Sequence, residues 1–296
     1  DYLKLITDLI PKSFHVEQLS FSAPEKERAN ILERSDIALI APSKGLPDYF
    51  FKPNLKLIQL LSSGYDKFNV KRPTELGIPV ANNGGANGEA VAEHTILLML
   101  ALSRRLIEYN NRGREGRGIN SRYGTDMRTI RDKTIGIVGF GSVGSAVGKK
   151  LANWGASIVS YDKEETPNKR TLEELLKVSD IVSLHLRAAP ETSGIIGRKE
   201  FGLMKDGTLF INTARAELVD HDALYEALKS GKLAGAGLDV VPDKKRVDPR
   251  FLTLPNIILT PHIAGSTRET YELSMKRAVE NFERVARGEK PLWVIN

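Results

Sequence analysis

Two sets of residues in this chain could do chemistry. The first is Gly139-Phe140-Gly141-Ser142-Val143-Gly144, a G-x-G-x-x-G run. Glycines at that spacing suit a phosphate. Gly139 allows a tight turn, Gly141 lets the backbone approach a pyrophosphate, and Gly144 lets the next helix pack close against the preceding strand. Ile135 to Val138 read as a short buried parallel strand ahead of the run, and Ser145 to Trp154 as the helix behind it. The free N–H groups and positive dipole end of that helix then face an anion. A second strand, Ser157–Tyr161, ends at Asp162, 18 residues past Gly144, where a ribose-binding carboxylate belongs. In this context the run predicts a dinucleotide site. An acid that accepts from both adenosine ribose hydroxyls would repel a 2′-phosphate, so NAD is expected over NADP. Lys163, next in the chain, tempers that preference.

The second set is Arg215 and His262. Arg215 follows the predicted strand Thr208–Asn212, and His262 follows the predicted strand Ile257–Thr260. Both therefore sit at carboxyl ends of strands, where α/β proteins build sites. A guanidinium fork matches a carboxylate bidentately, and an imidazole can give or take a proton at neutral pH. Position alone leaves Arg215 open between that role and a surface ion pair, and His262 open between proton transfer and packing. His15, His94 and His221 read as packed or capping histidines. No histidine pair has metal spacing with a carboxylate, so no metal site is expected.

These residues need a scaffold. The 296-residue chain is long enough for two domains, and its 41% hydrophobic and 27% charged content is that of a soluble globular protein. It has no cysteine, which excludes disulfides and thiolate chemistry and fits a reducing cytoplasm. The longest apolar run, Ile96–Leu102, is too short to span a bilayer, and no signal-peptide pattern opens the chain. No membrane partner is expected. The net charge of +6 raises nucleic acid as a partner, and Arg104 to Arg131 hold eight arginines. That stretch lacks aromatic interleaving beyond Tyr109 and Tyr123, so attraction of an anionic cofactor and substrate is the simpler reading.

Strand–helix alternation runs through the chain. A helix is predicted over 2–10, a strand over 14–19, a helix over 25–34 and strands over 37–41, 56–61 and 79–81. An α/β domain usually opens on a strand, so one is expected before Asp1. Glu89 to Arg105 read as a buried helix between two domains, and the polar stretch 110–132 as a linker. Strands are then predicted at 134–138, 157–161, 181–186, 208–212, 233–238 and 257–260. Helices are predicted near 143–154, 171–178, 220–230 and 267–287. The pattern implies parallel sheets with helices on both faces.

Several short motifs carry a resemblance. They are Ser63-Gly64-Tyr65-Asp66, Asn87 with Val91-Ala92-Glu93-His94-Thr95, the glycine run, Ser179–His185, Asn212-Thr213-Ala214-Arg215, Ala236-Gly237-Leu238-Asp239-Val240 and Thr260-Pro261-His262-Ile263-Ala264-Gly265-Ser266. From about Ile37 onward the chain resembles the NAD-dependent D-2-hydroxyacid dehydrogenases. The resemblance implies an α/β fold of two doubly wound, parallel-sheet, Rossmann-like domains with the active site in the cleft between them. Residues 1–101 and 267–296 would bind substrate, and residues 102–266 would bind NAD. It implies a hydride transfer between NAD(H) and a small 2-oxo or 2-hydroxy acid. Arg215 would hold the carboxylate and polarise the oxo group, and His262 would be the acid–base. Ser63 and Gly64 would offer backbone N–H groups to the carboxylate, and Asn87 would touch substrate. Ser142, Val143, His185, Thr192 and Thr213 would join the glycines and Asp162 around the cofactor, and Asp239 would hold the nicotinamide amide. A homodimer through the cofactor domain is also implied. Another small oxyanion as substrate, or a non-catalytic NAD(H)-sensing role, stays open on the same scaffold.

The chain departs from the family pattern in places. Arg187 stands where proline is frequent, Ala216 where glycine is frequent, and the tryptophan often seen in the 110–130 stretch is absent. Lys244 occupies the position of the glutamate that follows the aspartate by five residues, and the loop is about one residue short. Either Asp243 replaces the glutamate, which is the favoured reading, or the role is lost. A carboxylate beside the histidine favours imidazolium and raises its pKa, whereas a lysine lowers it. If Asp243 pairs with His262, Asp243→Asn moves the basic limb of the pH profile for oxo-acid reduction to lower pH. An unmoved limb would show that the two do not touch.

Overall fold

A computed structural model describes residues 7–20, 22–40, 47, 50–66, 68–116, 127–242 and 247–296. The chain divides into two compact units, Asp1–Asn87 with Ser266–Asn296, and Gly88–Gly265.

In the first unit three parallel strands, β1 (Ile37–Ile40), β2 (Leu57–Leu60) and β3 (Val80–Ala81), pair in the order β1-β2-β3. Their side chains alternate as strand geometry requires. Ala38, Ile40, Ile58, Leu60 and Val80 pack with Leu32 of helix α1 (Glu25–Glu33) and with Phe50 and Phe51. Ile37, Leu39, Leu57 and Ala81 point the other way, onto Ala278 and Phe282 of the long helix α10 (Arg268–Ala286). Helix α2 (Lys71–Glu75) leads into β3. Buried Gln59 would be costly alone. Its side chain donates to the carbonyls of Leu60 and Asn82 and accepts from Asn281 Nδ2 at 2.8 Å.

The second unit holds six parallel strands: β4 (Thr134–Val138), β5 (Ser157–Tyr161), β6 (Ile181–Leu184), β7 (Thr208–Asn212), β8 (Leu233–Leu238) and β9 (Ile257–Leu259). They lie in the order β5-β4-β6-β7-β8-β9. The chain leaves β4 to one side for β5 and returns past it to β6, which makes a topological switch point at the end of β4. Ile135, Ile137, Leu209 and Ile211 pack on one face with helix α3 (Gly88–Ser103) and helix α5 (Ser142–Ala152). Val138, Val182, Leu184, Phe210 and Leu238 pack on the other, with α6 (Leu172–Val178), α7 (Arg198–Leu203) and α8 (His221–Lys229). Gly144, Val147, Gly148 and Leu151 of α5 are buried, at the spacing of one helical face. Two short helices complete the unit, α4 (Leu106–Arg114) after α3, with no buried residue, and α9 (Pro249–Leu252) before β9, which buries Phe251.

Three expectations differ from the structure. Residues 14–19 form no strand; of the helix predicted over 2–10, residues 7–9 are helical and 1–6 lie outside the described residues. The stretch read as a linker from residue 110 begins inside α4. The division between units falls before α3, not at 101/102. The reason is packing: α3 lies on α5, β7 and β8. A Cβ on Gly237 of β8 would stand 3.0 Å from Leu98 Cβ, so the bare glycine is what lets the helix sit this close. Among the described residues no helix is long and apolar enough to cross a membrane.

Candidate functional site

All six strands of the second sheet run in one direction, so their carboxyl ends share one edge. The glycine run follows β4, Asp162 follows β5, His185 follows β6, Arg215 comes three residues after β7, Asp239 follows β8 and His262 comes three residues after β9.

The run has the form a pyrophosphate requires. Gly139 has φ +96°, and a Cβ there would meet the His185 and Leu186 backbone at 2.7 Å. A Cβ on Gly144 would meet the Gly139 carbonyl oxygen at 2.1 Å. At Gly141 a Cβ would project into open space, with no atom within 4 Å. Gly141 caps α5, and the first return bond is Ser145 N–H to the Gly141 carbonyl at 3.0 Å. The N–H groups of Ser142, Val143 and Gly144 thus precede the intrahelical ladder, at the positive end of an 11-residue helix. Asp162 Oδ2 accepts from Phe140 N–H at 2.6 Å, so the carboxylate is tied to the loop it would serve. These residues fit a dinucleotide.

Arg215 is half-buried. Asn212, fully buried at the end of β7, accepts from Ala214 N–H at 3.0 Å and donates to the Arg215 carbonyl at 2.8 Å. This clasp sets the backbone on which Arg215 stands. Sequence reading missed it, although an asparagine closing a strand is a recognised turn former. Asp239 is 1% exposed. It accepts from Thr260 Oγ1 at 2.6 Å and from the N–H groups of Ile263 and Ala264 at 2.9 Å each. His262 itself is exposed and has φ +59°.

The other expected cofactor residues hold local structure. Thr192 Oγ1 donates to the Arg187 carbonyl at 2.7 Å and accepts from Ala189 N–H at 2.9 Å, closing the loop after β6. Thr213 is bonded to Thr95 Oγ1 at 2.8 Å. Thr95 gives its proton to the Val91 carbonyl, so Thr213 is the donor of that pair. His185 Nε2 pairs with Ser183 Oγ at 2.9 Å, and burial pushes the imidazole down to about 3. In the first unit Ser63 Oγ lies 2.5 Å from side-chain oxygens of both Asn83 and Asn87, while Ser62 Oγ donates to the Gly64 carbonyl at 2.7 Å. Ser63 and Asn87 thus share one cluster with Asn83, and Gly64 is tied to Ser62. His221 Nε2 donates to the Ala216 carbonyl at 3.1 Å and the ring packs edge-on against Phe251, as a structural histidine does. Asp243 and Lys244 lie outside the described residues.

The profile of the D-isomer specific 2-hydroxyacid dehydrogenase NAD-binding domain matches residues 96–264, more than half of the chain. The chain belongs to that family. This dehydrogenase is an NAD-dependent oxidoreductase acting on D-2-hydroxy acids. It is 36% identical over 257 residues to glyoxylate reductase of Thermococcus litoralis, a match covering 82% of this chain and 78% of the relative. It is 33% identical to hydroxypyruvate reductase of Thermotoga maritima, covering 90% of each. Among solved structures, D-lactate dehydrogenase with NAD+ from Lactobacillus jensenii aligns over 100% of this chain and 96% of its own. The TM-score is 0.85 and the identity 27%.

The lowered His185 pKa makes a stability prediction. The unfolded chain binds a proton at His185 below about pH 6.5, and the folded chain does not until pH nears 3. Stability from this group is therefore complete above pH 6.5 and declines as pH falls through the window below it. By pH 5 the loss reaches about 2 kcal/mol. Urea unfolding of the apo protein at pH 7 and pH 5 checks this. His185→Gln should lose about 2 kcal/mol less than wild type between the two. Equal losses would contradict the assignment.

Proposed function

We propose that this dehydrogenase reduces a small 2-oxo acid, and oxidises the matching D-2-hydroxy acid, with Arg215 holding the carboxylate and His262 moving the proton. One observation carries the reading. Arg215, Asp239 and His262 stand at the carboxyl ends of β7, β8 and β9, three neighbouring strands. Strands two apart are separated by about 10 Å, a span that an arginine and a histidine can close on a molecule of a few carbons.

The second unit would hold NAD: the glycine run and the N–H groups of Ser142, Val143 and Gly144 at the pyrophosphate, Asp162 at the ribose. His185, Thr192 and Thr213 would line the same edge. Asp239 already spends most of its accepting capacity on the 260–264 turn, and Oδ2 would serve the nicotinamide amide beside its bond to Ala264. Bound NADH supplies the hydride. Arg215 grips the substrate carboxylate as a planar fork and draws charge toward the developing oxyanion. Protonated His262 gives its proton to the carbonyl oxygen as the carbon becomes tetrahedral, and neutral His262 takes it back in the reverse direction. Such a positioned acid–base contributes about 10²–10⁴-fold. The names of the relatives favour glyoxylate or hydroxypyruvate as substrates.

A homodimer through the second unit is part of this reading. Leu97 on α3 is 52% exposed and Trp154 after α5 is 49% exposed, and both line one groove with Ile96 and Leu100. Contiguous exposed apolar surface of this kind favours a partner. Light scattering of Leu97→Asp should report monomer where wild type reports dimer; a monomeric wild type would contradict it.

The catalytic reading is tested by NADH oxidation with glyoxylate, hydroxypyruvate and pyruvate. Arg215→Lys should lower kcat/KM for the best of these by at least about a hundredfold and leave the NADH Kd within about twofold, because lysine keeps the charge and loses the fork. Wild-type turnover in this variant would show that Arg215 is structural.

A further inference from the structure

His94 takes no part in the chemistry derived above, yet it touches the machinery. It lies on α3, and its Nε2 is 3.0 Å from Thr260 Oγ1. Thr260 Oγ1 is in turn 2.6 Å from Asp239 Oδ1. A hydroxyl carries one proton. At that distance from a buried carboxylate, the proton goes to Asp239. Thr260 Oγ1 must then accept from His94, which fixes Nε2 of His94 as a donor. Nε2 stands 3.8 Å from Asp239 Oδ1, too far for a direct bond. The chain of donation is therefore His94 to Thr260 to Asp239.

Asp239 passes the constraint on. Its two oxygens hold the N–H groups of Ile263 and Ala264, the two residues immediately after His262. On the near side His262 N–H bonds the Thr260 carbonyl at 3.0 Å, and Thr260 N–H bonds the Leu238 carbonyl at 2.9 Å. Between these anchors His262 sits at φ +59°. For a residue with a Cβ that conformation costs about 1–2 kcal/mol and persists only where the surroundings over-determine it. These bonds hold the backbone of His262 in place. The His94 side chain is 13% exposed and the Asp239 side chain 1%, so water competes poorly for these bonds.

We propose that His94 is a positioning residue for His262, acting through the Thr260 hydroxyl and the Asp239 carboxylate to hold the 260–264 turn. This rests on the acid–base reading of His262.

The test uses the full chain with NADH and the best substrate among glyoxylate, hydroxypyruvate and pyruvate. His94→Phe and Thr260→Val should each lower kcat about tenfold while the NADH Kd stays within about twofold. His94→Gln, which keeps a donor at similar reach, should recover kcat to within about threefold of wild type. The double variant should be no slower than the slower single, because both act through one chain of bonds. Unchanged kcat in His94→Phe, a glutamine variant no better than phenylalanine, or losses that multiply in the double variant would each overturn the proposal. His262→Gln is measured alongside. If it turns over at the wild-type rate, the acid–base reading falls and this inference with it. If it is inactive while His94→Phe is unimpaired, only the role of His94 falls.

Discussion

Parallel pairing is the constraint on which the second unit depends. Parallel strands must each return by a crossover, so every strand ends at the same edge. From β5 across to β9 that edge gathers Asp162, the glycine run, His185, Arg215, Asp239 and His262. The crossovers also bury both faces, and the strands become apolar on each side, as Phe210 with Val182 and Ile211 with Ile135 show. With both faces used for packing, the edge is where polar side chains remain available. The switch at β4 then opens a gap between diverging crossovers, and the first glycines fall there.

Closeness at the glycine run is bought by missing side chains. The contact between α5 and β4 leaves 2.1 Å between a would-be Cβ on Gly144 and the Gly139 carbonyl oxygen. Any side chain at 144 would push the helix off the sheet and carry its N-terminal N–H groups with it. The anion site and the packing of this layer are therefore one property, and the run reads as a unit.

Much of this was legible in the sequence because it is local. A buried strand of four or five apolar residues, a glycine turn and a capped amphipathic helix each announce themselves within about ten residues. Hence β4, β5, β7 and β8 fall at the residues predicted, and Arg215 and His262 were found at strand ends. The failures share one cause, which is distance along the chain. The apolar centre of α3 indicates a buried helix, but no periodicity says which sheet covers it; Gly237 and Leu98 settle that only in three dimensions. His94 and Thr260 are 166 residues apart, and a histidine on an apolar helix looks the same whether it packs or donates. The clasp of Asn212 on Arg215 was within reach, since it spans three residues. Residues 14–19 alternate like a strand yet pair with no strand among the described residues, because alternation describes a face and not a neighbour.

The account stands on hydride being delivered to one face of the carbonyl carbon of a 2-oxo acid held by its carboxylate, with the proton going to the carbonyl oxygen. Product chirality measures this most directly. Hydroxypyruvate and pyruvate are reduced with excess NADH, and the 2-hydroxy acids are resolved by chiral chromatography. The account predicts the D enantiomer from whichever acid turns over. An L product, a racemate, or no NADH oxidation with any 2-oxo acid would contradict it.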